Sequence, residues 1–197
     1  MKKSAYLTAI LLTLCLHFHG QDKIDRSYRN FPIVVSMQFH SLSLPFRHLR
    51  SNFSNVGLGL GTEVSHNGAE NWVQQFNVIW YRNKNIGNGL LLNTQTVWRP
   101  TIAGDMYSEI KAGVGYNYCF RPVESFRPGK AGWLPAGRKG KGMLTILGGV
   151  SAGLDKYSSA TYVSPFASYE FLLLKGYSKS IPIVPETLFQ VGSRIHL

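Results

Sequence analysis

Several things this chain is short of narrow its possibilities first. Only two cysteines, Cys15 and Cys119, occur in 197 residues, so a disulfide-stapled scaffold is excluded. Acidic residues are scarce, with 10 Asp+Glu against 21 Lys+Arg and a formal net charge of +11. Past the N-terminus no stretch stays apolar for the roughly 18 residues that a membrane-spanning helix needs, which excludes a polytopic helical membrane protein. Histidines 40, 48, 66 and 196 lack metal-ligand spacing. Gly57-Leu-Gly-Leu-Gly61 alternates like a strand and no Lys follows it, so it is not a phosphate loop. No cofactor or metal is therefore expected. A disordered tail is also excluded, because 44% of the residues are hydrophobic and 13% aromatic.

The first twenty residues have the three parts of a secretory signal peptide. Lys2 and Lys3 form a basic start, Ala5 to Leu16 a short apolar run, and Gly20 a small residue before polar Gln21-Asp22-Lys23. Phe18 stands where a small residue is usual for cleavage after Gly20. The reading is a leader over 1–20, a periplasmic segment over 21–32, and a folded unit over 33–197. Removal of the leader takes away Lys2 and Lys3 and lowers the charge from +11 to +9. An exported basic protein rarely meets nucleic acid; membrane lipids, lipopolysaccharide phosphates or surface polysaccharides are the expected anions.

The remainder reads as strands. Glycines at 57, 59, 61, 113 and 115 would break helices, whereas period-2 alternation recurs. Over Glu109–Phe120, the residues Ile110, Ala112, Val114, Tyr116, Tyr118 and Phe120 share one face. Glu109, Lys111, Gly113, Gly115, Asn117 and Cys119 take the other. Strands are expected at 33–42, 54–65, 71–82, 89–99, 106–120, 143–154, 161–174 and 186–197. The connections alternate, with longer ones at 43–53, 83–88, 121–142 and 175–185 and shorter ones between. That asymmetry is the mark of a transmembrane β-barrel whose short turns face one compartment and whose longer loops face the other.

The second face decides which way the oil points. It carries glycines together with Glu63, Gln75, Asn77, Glu109, Lys111, Asn117, Arg194 and His196. Small residues that make room for long charged ones suit a narrow lumen, and buried charges must be paired. Glu63, Glu109 and Glu170 with Lys111 and Arg194 are the expected network. The alternative is a soluble lipocalin-like cup with these residues in water. Trp72 and Trp80 lie eight residues apart on one face, about 26 Å along a strand. Strand tilt brings that to about 20 Å, close to the height of an apolar belt.

The ending Phe189-Gln-Val-Gly-Ser-Arg-Ile-His-Leu197 resembles the closing strand of bacterial outer-membrane β-barrels, with Leu197 in place of the usual aromatic. The leader followed by Gln21 resembles small barrels of the Bacteroidota. The resemblance implies an eight-stranded antiparallel transmembrane barrel in the outer membrane of a Gram-negative cell, and it names no subfamily.

Eight strands leave a lumen that side chains fill, so a wide pore is not expected. Some small outer-membrane barrels resemble lipid A-modifying enzymes, which need a nucleophilic Ser and a His base. His40 with Ser41 or Ser43, and Ser65 with His66, are the candidates, but adjacent residues on a strand face opposite sides. The stronger chemical feature is the fifth connection. Arg121, Arg127, Lys130, Arg138, Lys139 and Lys141 face one acid, Glu124, with Phe126 and Trp133 among them. Arg47, His48 and Arg50 add charge at the same end. The reading is a monomeric, non-enzymatic barrel whose basic loops meet outer-membrane lipid, lipopolysaccharide or an acidic surface partner. A lipid A-modifying enzyme and a soluble binding barrel are the alternatives.

Overall fold

The computed structural model describes residues 31–41, 53, 55–83, 87–120, 125–129, 132–137, 140–155, 161–177 and 182–197. The expected leader and the segment 21–30 lie outside them. Eleven strands occur in these residues, with no helix. They are β1 (Ile33–Ser41), β2 (Val56–Ser65), β3 (Trp72–Tyr81), β4 (Asn88–Trp98), β5 (Thr101–Ala103) and β6 (Met106–Phe120). They continue with β7 (Ser125–Gly129), β8 (Gly132–Gly137), β9 (Lys141–Leu154), β10 (Tyr162–Lys175) and β11 (Ile183–His196).

Eight of these close into an antiparallel barrel. The order is β4-β3-β2-β1-β11-β10-β9-β6, and pairing of β4 with β6 shuts the cylinder. The stagger follows from the register. Starting at Arg194, paired with Val34, the partners run through Gly61, Asn77, Asn93, Gly115, Thr145 and Leu174 to Val184. The path returns to β11 ten residues from its start. Eight strands with that stagger tilt by about 40° and enclose an interior that side chains fill.

The eight barrel strands are those read from the alternation, with ends that differ by a few residues. β9 starts at Lys141 and β11 at Ile183, so the last connection shrinks. Pro185 sits inside the ladder opposite Leu173, near the start of β11, where its missing N–H costs at most one bond. The long connections are 42–55 and 121–140, both at one end. The other end has tight turns, such as the one where Gly68 takes φ 75°.

The fifth connection, although rich in proline and glycine, contains regular structure. β7 and β8 form a separate two-stranded hairpin. A two-stranded ribbon has only edges, so Pro128 and Pro135 interrupt no third strand. Gly132, which opens β8 opposite Gly129, takes φ 141°.

Inside and outside are inverted relative to a soluble barrel. Ile33, Val35, Leu58, Leu60, Val78, Leu92, Ile110, Val114, Leu144, Ile146 and Val150 are exposed on the outer wall. Gln38, Glu63, Gln75, Gln95, Glu109, Lys111, Asn117, Glu170 and Arg194 are buried inside. A soluble lipocalin-like cup needs the opposite arrangement. Trp72 and Trp98 are cross-strand partners at the tight-turn end, and Trp80, Tyr116 and Phe120 are exposed toward the long-loop end. The amphipathic rings of Trp and Tyr favour the two edges of a bilayer.

Candidate functional site: the lumen network and the basic loop end

The lumen has two halves. Near the tight turns it is ionic. Glu63 comes from β2, Glu109 and Lys111 from β6, Glu170 from β10 and Arg194 from β11, and each stands on the inward parity of its strand. Arg194 Nε pairs with Glu63 Oε1, and Arg194 Nη2 lies 2.7 Å from Glu109 Oε1. Lys111 Nζ is 3.3 Å from Glu109 Oε2 and 3.5 Å from Glu170 Oε1. The five residues expected to share the lumen therefore lie in one cluster.

A sixth member was not anticipated. Arg99, just past the end of β4, places Nη2 2.7 Å from Glu63 Oε2 and Nε 2.6 Å from Glu109 Oε1. The signal was present in the sequence: Arg99 continues the inward parity of Asn93, Gln95 and Val97, but Pro100 beside it reads as the start of a turn. With Arg99 included, three carboxylates meet three cations. Buried charge of that kind is tolerated because each carboxylate has a cation within 3.5 Å.

Neutral side chains complete the shell. Gln75 Nε2 donates to Glu63 Oε1, Gln95 Nε2 donates to Glu170 Oε2 at 2.8 Å, and Ser168 Oγ donates to Glu170 Oε1 at 3.2 Å. Arg194 Nη1 donates to the Tyr107 hydroxyl. The guanidinium carbon of Arg194 lies 4.5 Å from the centroid of Phe166, a cation–π contact in a desolvated site. Glycine supplies the room. A Cβ on Gly149 would stand 2.7 Å from Glu170 Cγ and 2.7 Å from the Tyr169 carbonyl oxygen.

Nearer the long loops the lumen also holds an apolar layer, beside buried Gln38, Asn117 and Thr145. Ile79, Tyr81, Leu91, Cys119, Met143, Leu147, Leu172, Leu174 and Leu188 form one buried cluster. The runs Leu90-Leu91-Leu92 and Leu172-Leu173-Leu174 are apolar on both faces, so alternation could not reveal what they place inside. Cys119 is buried there, outside any disulfide.

His40 caps this cluster. Its Nε2 lies 2.7 Å from Glu186 Oε2 and its Nδ1 3.2 Å from Asn83 Nδ2. The Asn83 amide donates to Nδ1, so Nε2 carries the proton that Glu186 accepts. The Tyr81 ring stacks on the imidazole at 4.2 Å. Both ring nitrogens are thus engaged with side chains other than serine. Ser41 is the next residue along β1, and Ser43 lies outside the described residues. Ser65 donates to the Ala69 carbonyl at 2.6 Å, while the His66 ring meets Gln74 at 3.3 Å. Neither Ser–His candidate is assembled among the described residues. The described residues also hold no group of three or more His, Cys, Asp or Glu arranged to grip a metal.

Of the basic residues expected at the loop end, Arg47, Arg50, Arg121, Lys130, Arg138 and Lys139 lie outside the described residues. Arg127 falls in β7, in register with Leu134 of β8. Lys141 opens β9, and its Nζ donates to the Tyr177 carbonyl at 2.6 Å, tying the fifth connection to the seventh. The first connection is held differently. Phe53 rests against outward-facing Phe39 and Phe189, with ring centroids 5.2 and 5.7 Å apart.

An apolar outer wall, aromatic edges and a charge-paired, plugged lumen define an eight-stranded transmembrane β-barrel. No protein-family model and no curated protein matches the chain. Among solved structures it is similar to Neisserial surface protein A, with a TM-score of 0.58 at 10% identity, over 85% of this chain and 97% of that one. It also matches the N-terminal β-barrel domain of Pseudomonas aeruginosa OprF, with a TM-score of 0.44 at 9% identity, over 85% of this chain and 99% of that domain.

Proposed function

We propose that this protein is a non-enzymatic, monomeric outer-membrane β-barrel, exported by its N-terminal leader. Its long-loop end faces the cell surface and meets lipopolysaccharide or other anions there. The observation that carries the location is the inverted wall, with Leu58, Leu60, Ile110, Leu144 and Ile146 outside and Glu63, Glu109 and Arg194 inside. Only hydrocarbon makes that distribution favourable over the whole cylinder. The net +5 of residues 121–142 supports an anionic contact. A structural or interactive role, with no chemistry, agrees with a His40 whose two nitrogens are both committed.

Cell fractionation tests the location. The chain is expected in the outer membrane, released by detergent and not by salt or alkaline wash. Recovery in the soluble periplasm contradicts the reading. Mass spectrometry of lipid A from cells with and without the protein tests the absence of chemistry. Identical acyl patterns are expected, and a changed pattern contradicts it.

A further inference from the structure

The β7–β8 hairpin presents an apolar face that nothing described covers. Its register sets Phe126 opposite Pro135 and Pro128 opposite Trp133. Cross-strand partners share a face, as do residues two apart, so Phe126, Trp133 and Pro135 line one side of the ribbon. Phe126 is 60% exposed and Trp133 72% exposed. An isolated two-stranded hairpin is marginal in water, and exposed aromatics on such an element call for a partner surface.

We propose that this hairpin is a membrane-surface anchor, its Phe126–Trp133 face lying on the anionic lipid headgroup layer beside the barrel. The inference rests on the membrane-barrel reading above. Three observations favour lipid over another occupant. First, the hairpin begins five residues after Phe120, which with Tyr116 marks the upper edge of the lipid-facing wall. The headgroup layer is the nearest extended surface it can reach. Second, the connection that contains the hairpin has six cations and one acid, which complements anionic headgroups. Aromatic rings beside Lys and Arg are the composition of segments that lie in the interface plane. Third, Phe53 of the first connection already packs on outward-facing Phe39 and Phe189. The hairpin would extend that collar to the far side of the barrel.

The test uses the mature chain folded into vesicles, with Trp133→Cys in a Cys119→Ala background and an environment-sensitive fluorophore on the new thiol. One set of vesicles is phosphatidylcholine and the other contains added phosphatidylglycerol. Faster migration of the unboiled chain on a detergent gel first shows that the barrel is formed; without it the barrel reading itself fails. With the barrel formed, the expected result is blue-shifted emission and quenching by brominated lipid, stronger in the phosphatidylglycerol vesicles. Replacing Arg127, Lys130, Arg138 and Lys139 by Gln is expected to abolish the difference between the two lipids. A fully hydrated label in both vesicle types overturns the proposal and points to a soluble partner. Equal burial in both lipids overturns the part assigned to charge.

Discussion

Arg194 on β11 reaches across the lumen to Glu109 on β6, Nη2 to Oε1 at 2.7 Å, although three strand-to-strand steps separate them around the wall. The contact braces opposite sides of the cylinder. It also leaves Glu63 and Glu109 dependent on the same guanidinium, since Arg194 Nε pairs with Glu63.

Removal of that guanidinium is therefore expected to be costly. Arg194→Ala leaves two buried carboxylates, Glu63 and Glu109, to share the Arg99 guanidinium, and breaking buried pairs in this way costs up to about 3–5 kcal/mol. Urea unfolding in vesicles measures it. Glu63→Gln combined with Arg194→Ala is expected to cost less than the two single changes added together, because the residues share one network. Additive effects contradict the network.

Lys111 is held more loosely, at 3.3 and 3.5 Å from its two carboxylates. Glu109 keeps Arg99 and Arg194 without it, and Glu170 keeps Gln95 and Ser168. Lys111→Met is expected to shift the same unfolding midpoint by less than half as much as Arg194→Ala. A larger shift would mean that Lys111, and not Arg194, is the hub.

Two neighbouring glycines make opposite predictions. Gly149 faces the lumen, where a Cβ meets the Tyr169 carbonyl and Glu170 at 2.7 Å. Gly149→Ala is expected to destabilise by about 1–3 kcal/mol, the usual cost of overpacking. Gly148 has the outward parity, and its Cβ would find only the Lys111 carbonyl at 3.9 Å. Gly148→Ala is expected to be neutral or stabilising, because a strand glycine carries an entropic penalty. The pair, measured by unfolding midpoint, also checks the register directly.

The apolar plug predicts electrical silence. Leu91, Leu147, Leu172, Leu174 and Leu188 fill the lumen above the ionic layer. Planar-bilayer recording is expected to show no steady conductance of the kind porins give. Persistent open channels at low voltage would contradict the packing.

Asp155 supplies the pH dependence outside the strands. Burial pushes its carboxyl up from the ordinary value. The folded state then binds this proton more tightly than the unfolded chain does, so this group adds stability as pH falls through its raised value toward the ordinary one. That contribution is gone once the pH rises above the raised value. Asp155→Asn is expected to be more stable than the parent at neutral pH, with the difference shrinking on acidification through that window. A gap that widens instead reverses the sign.

Much of this was legible beforehand because a barrel wall obeys a period of two. Ile110 through Phe120 could be assigned to one face from spacing alone, and Glu109 and Lys111 to the other. Arg99 was legible in principle, as the last residue of the strand read over 89–99 and on the parity of Asn93 and Gln95, but its neighbour Pro100 draws it into the turn. The plug was hidden for a different reason: in Leu172-Leu173-Leu174 both faces are apolar, so alternation carries no information there. The β7–β8 hairpin was masked by Pro128 and Pro135, which argue against an interior strand but not against a ribbon with two free edges.

The central claim is that hydrocarbon, not water, is the solvent of the outer wall. Refolding of the urea-denatured mature chain tests it most directly, by sedimentation and far-ultraviolet circular dichroism with and without detergent. The account predicts β-sheet and a monodisperse species only when micelles or vesicles are present, and precipitation on their removal. A monodisperse, β-rich chain in plain buffer would contradict it.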